Sequence, residues 1–120
     1  MDEMASSKVF RFADMPVRKM ANGGESRDVM HGTLPTGEVV AVHESVQTAG
    51  MTPNPKHRID HSEFLLVQEG TMEFNFEEHT ERGGPGTIFY VAKGTNHSAR
   101  NIGDGPAKYF VVAIGGDVKA

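Results

Sequence analysis

The sequence predicts an all-β domain, a closed barrel or double-sheet jelly roll, on three observations. Apolar residues alternate with polar ones at a period of two in the clearest stretches. Turn residues recur at short intervals, with 14 glycines and 6 prolines in 120 residues. No stretch carries a helical period of 3.6. About eight short strands at regular spacing fit a barrel or jelly roll better than an open sheet.

Taken in order, Val9 to Phe12 reads as a short strand and Met15 to Glu25 as a loop rich in breakers. Val29 to Leu34 and Glu38 to Val46 read as two strands. Pro35-Thr36-Gly37 between them supplies a preset φ and then a residue free to take positive φ, as a tight hairpin needs. Gly50 to Lys56 holds Pro53 and Pro55 and must be irregular. From His57 the chain becomes extended, and Phe64-Leu65-Leu66-Val67 is apolar on both faces, as in a strand covered on both sides. Met72, Phe74 and Phe76 then alternate with polar neighbours. Thr87 to Ala92, His97 to Ile102 and Ala107 to Ile114 complete the set. One domain is expected: an N-terminal segment over 1–26 with a short strand, a barrel over 27–116 and a C-terminal tail over 117–120.

A formal charge of −4 and scattered Lys and Arg leave no electrostatic footprint for nucleic acid. No apolar run approaches the ~20 residues of a membrane span. The N-terminus lacks the positive and apolar regions of a signal peptide, so the expected location is the cytoplasm, a trimmed precursor being the alternative. With no cysteine, thiolate metal sites and cysteine nucleophiles are ruled out.

The histidines carry the chemistry. His57 and His61 are followed at once by Glu63, and His97 stands on a later strand. In an unbroken strand His57, Ile59, His61 and Glu63 leave the same face. Imidazole and carboxylate suit Fe, Mn, Zn or Ni, and two histidines with one carboxylate form the facial set of non-haem Fe(II) oxygenases. Glu44 shares parity with Val40, Val42 and Val46. It is a candidate general base if it points into an apolar face, the bland alternative being an exposed acid near a strand end.

These residues also fall into a known pattern. The cupin family carries the motifs G-x5-H-x-H-x(3,4)-E-x6-G and G-x5-P-x-G-x2-H-x3-N. The chain resembles the second through Gly86, Ala92, Gly94, His97 and Asn101, with Ala92 in place of the proline. It resembles the first through Gly50, His57, Ile59, Glu63 and Gly70, with one extra residue after the leading glycine and Ile59 in place of the second histidine. The resemblance implies a double-stranded β-helix, or jelly-roll, barrel holding one divalent transition-metal ion on His57, Glu63 and His97. Ile59 removes one of the four usual ligands. Three outcomes stay open: a three-ligand triad, a four-ligand site in which His61 substitutes, or loss of the metal.

Three functional readings follow from the resemblance. The first is a non-haem Fe(II)-type oxygenase acting on a small molecule in the barrel. The second is an Mn-, Zn- or Ni-dependent lyase or isomerase, and the third a non-catalytic small-molecule-binding protein. The expected partner besides substrate is a second copy of the chain in a homodimer. The strands Phe64 to Val67 and Tyr109 to Ile114, apolar on both faces, suit such an interface.

Overall fold

The computed structural model describes residues 3–21, 23–53 and 55–120. Asn22 and Asn54, in the two predicted loops, and the first two residues lie outside that range. Among the described residues ten strands form two antiparallel sheets. They are β1 (Val17–Lys19), β2 (Glu25–Thr33), β3 (Val39–Gln47), β4 (His57–Arg58), β5 (Ser62–Glu69), β6 (Met72–Asn75), β7 (Thr80–Gly83), β8 (Ile88–Val91), β9 (Asn96–Asn101) and β10 (Ala107–Ile114). The larger sheet runs β1-β2-β3-β10-β5-β8 and the smaller β4-β9-β6-β7. The fold is an all-β double-stranded β-helix of the jelly-roll kind.

The alternation expected of Met72 and Phe74 places both in the core, where the Phe74 ring stacks on Phe89 of the other sheet at 4.2 Å. Leu65, Val67, Val91, Val111 and Tyr109 fill the space between the sheets. The Pro35-Thr36-Gly37 turn closes the β2–β3 hairpin: Gly37 takes φ +102° and donates its N–H to the Leu34 carbonyl at 2.8 Å. Asn101 is the corner post of the β9 end. Its Nδ2 donates to the carbonyls of Gln47 and Gly105 at 3.0 and 2.7 Å, and its Oδ1 accepts from the Gly103 N–H at 2.9 Å.

Three expectations need correction. The short N-terminal strand lies at Val17–Lys19, inside the predicted loop, whereas Phe12–Asp14 is a turn of 3₁₀-helix. That turn lays Phe12 edge-on to Phe110 of the outer sheet face at 6.0 Å, with the Arg27 guanidinium 4.3 Å above the Phe12 ring. An edge-to-face ring contact and a cation–π contact thus outweigh the strand propensity of the segment. The boundary drawn at 26/27 falls inside β2, since β1 pairs with Glu25 and Ser26. Finally, the extended run from His57 breaks. β4 joins the smaller sheet and β5 the larger, and Ile59, Asp60 and His61 make the crossing between them.

Candidate metal and small-molecule site

The break at Ile59 to His61 decides what the site can be. Because β4 pairs with β9, His57 stands directly opposite His97 in the register, and the two rings lie 4.8 Å apart. His97 is buried at 5% exposure, while His57 sits at the exposed sheet edge. Each ring is oriented in the same way. His57 Nδ1 lies 3.2 Å from the Pro55 carbonyl and His97 Nδ1 3.1 Å from the Thr95 carbonyl. A carbonyl can only accept, so Nδ1 carries the hydrogen in both rings. The Nε2 lone pair is then left for an electrophile, the orientation common to metal-binding histidines.

Glu63 reaches the same space from β5. A cavity of about 160 Å³ is lined by His43, Gln47, His57, Glu63, His97 and Tyr109, with Leu65, Phe74 and Val111 as its apolar wall. His57, Glu63 and His97 therefore converge on one cavity, as the motifs imply. They do not form a closed triad: among the described residues no three His, Asp or Glu side chains stand close enough together to grip one ion. The donor chemistry fits a divalent transition metal, for which the oriented histidine pair offers two nitrogen donors.

His61 goes elsewhere. Its Nε2 lies 2.7 Å from Glu63 Oε1 and its Nδ1 2.7 Å from Asp117 Oδ1, so both ring nitrogens face carboxylates. Burial lowers the His61 pKa, but hydrogen bonds and charges from Glu63 and Asp117 outweigh it and raise the pKa overall. Ile59, the residue in place of the motif's second histidine, is buried in the core cluster, 8% exposed.

Glu44 is buried, only 6% exposed, as its parity suggests, and burial raises its carboxyl against the opposing pull of Lys108 and Arg27. It does not line the cavity. Its neighbours His43, Ser45 and Gln47 do, so the cavity face of β3 is the odd-numbered one. His43, with Ser45, Gln47 and Tyr109, is among the cavity residues that sequence reasoning missed. Burial lowers the His43 pKa and favours the neutral ring, while Glu63 and Asp28 pull the other way. Its signal was the polar series His43, Ser45, Gln47, which ordinary alternation assigns to solvent. A barrel with a polar interior reverses that assignment.

The polar lining continues outward. A second cavity of about 240 Å³ shares His43, Ser45, Gln47 and Tyr109 and reaches Arg18 and Met51. Gln47 Nε2 donates to Tyr109 Oη at 3.1 Å, and burial raises the Tyr109 phenol despite that bond and one to Ser45. A larger cleft of about 500 Å³ lies beside Phe76, His79 and Tyr90 and contains none of the candidate ligands. The chemistry, not the size, identifies the site.

This architecture defines a jelly-roll barrel with a histidine-lined interior. The chain belongs to the cupin family, whose Cupin domain profile matches residues 33–113. Among solved structures it is similar to an RmlC-like cupin from Shewanella frigidimarina, at 17% identity and TM-score 0.73 over 92% of this chain and 94% of that one. It is also similar to the polyketide cyclase RemF from Streptomyces resistomycificus, at 15% identity and TM-score 0.71 over 96% and 88%. A third similar structure is Bacillus subtilis oxalate decarboxylase, described with Mn(II) centres, at 22% identity and TM-score 0.71. It is matched over 98% of this chain but only 33% of its own length. At these identities the likeness is one of fold. A search of curated proteins returned no match. Among the described residues no helix is long and apolar enough to cross a membrane.

Proposed function

We propose that the chain is a metal-dependent cupin acting on a small polar molecule in the barrel cavity. One divalent transition-metal ion (Fe, Mn, Zn or Ni) is held by His57 and His97, with Glu63 as third donor. The observation that carries this reading is the matched orientation of the two histidines, each fixed through Nδ1 to the carbonyl two residues earlier. The two rings lie 4.8 Å apart, centroid to centroid, and in each the Nδ1 contact leaves Nε2 as the nitrogen that can bind an ion. Within the family the two-histidine, one-carboxylate set favours an Fe(II)-type oxygenase.

A bound ion of this kind would polarise a substrate oxygen and, as Fe(II), add redox chemistry with dioxygen. The chain's own residues do the rest. Gln47 and Tyr109, hydrogen-bonded to each other, form a polar wall that a small ligand would meet, and Leu65, Phe74 and Val111 keep water from one side of it. The neutral His43 ring is placed to take or give a proton at the same cavity.

The test is oxygen uptake by the Fe(II)-loaded protein across a panel of small hydroxy and keto acids and catechols, beside anaerobic turnover with Mn, Zn or Ni. Uptake that His97→Ala abolishes supports the oxygenase. Turnover without oxygen selects the lyase or isomerase and overturns the oxygenase. One observation favours a second reading, the non-catalytic binding protein: Ile59 withholds a donor and the triad is not closed. A metabolite retained by metal-free protein, with no turnover in either assay, would select it.

A further inference from the structure

We infer that His61 is a positioning residue, held by Asp117 of the C-terminal tail, that fixes the Glu63 carboxylate rather than binding the metal itself. This rests on the metal-dependent reading above and decides which of its open ligand sets applies.

Both imidazole nitrogens of His61 are spent, Nε2 on Glu63 Oε1 and Nδ1 on Asp117 Oδ1, each at 2.7 Å. A ligand histidine needs one free lone pair, and His61 has none to offer while this chain of contacts stands. Nor is His61 among the residues that line the cavity, whereas its partner Glu63 is. Glu63 Oε1 is occupied by the ring, and Oε2 makes no hydrogen bond among the described residues. The carboxylate is thus held by one oxygen and open at the other.

The tail is built to deliver Asp117. Gly115 and Gly116 take φ +75° and +52°, the Gly115 N–H donates to the Val39 carbonyl at 2.8 Å, and the Asp117 N–H donates to the Asp60 carbonyl at 3.0 Å. A Cβ at Gly116 would collide with the Asp60 carbonyl, so only glycine lets the tail approach the crossing at Asp60 and His61 so closely. The side chains of His61 and Glu63 are only 16% and 15% exposed, which places the contact where solvent screens it weakly.

The experiment titrates full-length apo protein with Cu(II) and Co(II), in wild type, His61→Ala, His61→Gln and Asp117→Asn, and counts coordinated nitrogens from the Cu(II) electron paramagnetic resonance spectrum. Positioning predicts that His61→Ala weakens binding about 10–100-fold. His61→Gln, whose amide can still donate to Glu63, recovers most of that loss, Asp117→Asn weakens binding less than His61→Ala does, and the nitrogen count stays the same throughout. Loss of one nitrogen in both His61 variants, with no rescue by Gln, would make His61 a ligand and overturn the inference while leaving the metal site. Affinity unchanged in all three variants would overturn it too. Failure of wild type to bind either ion would sink the metal-dependent reading itself, and this inference with it.

Discussion

His57 and His97 face each other across the β4–β9 pair, and each is aimed by the carbonyl two residues before it, from Pro55 and from Thr95. The symmetry of orientation hides an asymmetry of burial, since His97 is buried and His57 exposed. Alanine at the two positions should therefore separate binding from stability. His57→Ala is expected to lower metal affinity by at least about 100-fold, more than loss of an outer partner costs, and to leave the apo melting temperature nearly unchanged. His97→Ala is expected to lower both, the stability loss being about 1–3 kcal/mol for a buried polar side chain. Calorimetric metal titration and thermal melts of the apo proteins check the pair.

Ile59 offers a gain-of-donor test. It lies in the core cluster with Leu65, Phe74, Tyr109 and Val111, four residues that also wall the cavity. Ile59→His restores the family's second histidine at the cost of a polar ring in an apolar setting. The apo variant should lose about 1–3 kcal/mol. Added Mn(II) or Co(II) should then raise its melting temperature more than that of wild type. An equal rise in the two proteins would show that the ring does not reach the ion.

Two buried carboxylates should give opposite pH signatures. Burial raises Glu44 above 4.5, so the folded state binds its proton more tightly than the unfolded chain does. Stability then falls as pH rises from 4.5 through the raised folded value. For Glu73, burial pulls upward, but hydrogen bonds from Arg82 and Arg100 at 2.9 and 3.0 Å and their charges hold it below 4.5. Its contribution is complete above pH 4.5 and is lost as pH falls through the depressed value. Glu44→Gln should flatten the first slope and stabilise the protein at pH 7 by less than about 1 kcal/mol. Glu73→Gln should flatten the acid limb and destabilise at pH 7. Chemical denaturation at half-unit pH steps resolves both.

The homodimer expected from the two-faced apolar strands would use an exposed apolar patch on the barrel. Phe64, Ile88 and Tyr90 stand 36%, 59% and 53% exposed on the outer face of the larger sheet, with the Phe64 and Tyr90 rings 5.1 Å apart. We propose that a second copy covers this face. Light scattering should then report a dimer for wild type and a monomer for Ile88→Lys combined with Tyr90→Lys. A wild-type monomer at high micromolar concentration would contradict it.

Much of this was legible in the residues. The period of two placed Met72 and Phe74 in the core, the Pro-Thr-Gly turn set the first hairpin, and the motif spacings brought His57, Glu63 and His97 to one cavity. The parity of His61 was misleading because parity holds only along an unbroken strand, and the chain changes sheets at Ile59 to His61. His43 was missed because alternation says which residues share a face but not whether that face meets solvent or a polar cavity. Asp117 was invisible for another reason. Its contact with His61 spans 56 positions and depends on two left-handed glycines, which no local pattern encodes.

Metal content is the most direct test of the central claim. Apo protein is reloaded with an equimolar mixture of Fe(II), Mn(II), Co(II), Ni(II) and Zn(II) under nitrogen, desalted and assayed by elemental analysis, wild type beside His97→Ala. The His57–His97 site predicts close to one ion per chain in wild type and a small fraction of that in the variant. Equal content in the two proteins, or none in wild type, would contradict it.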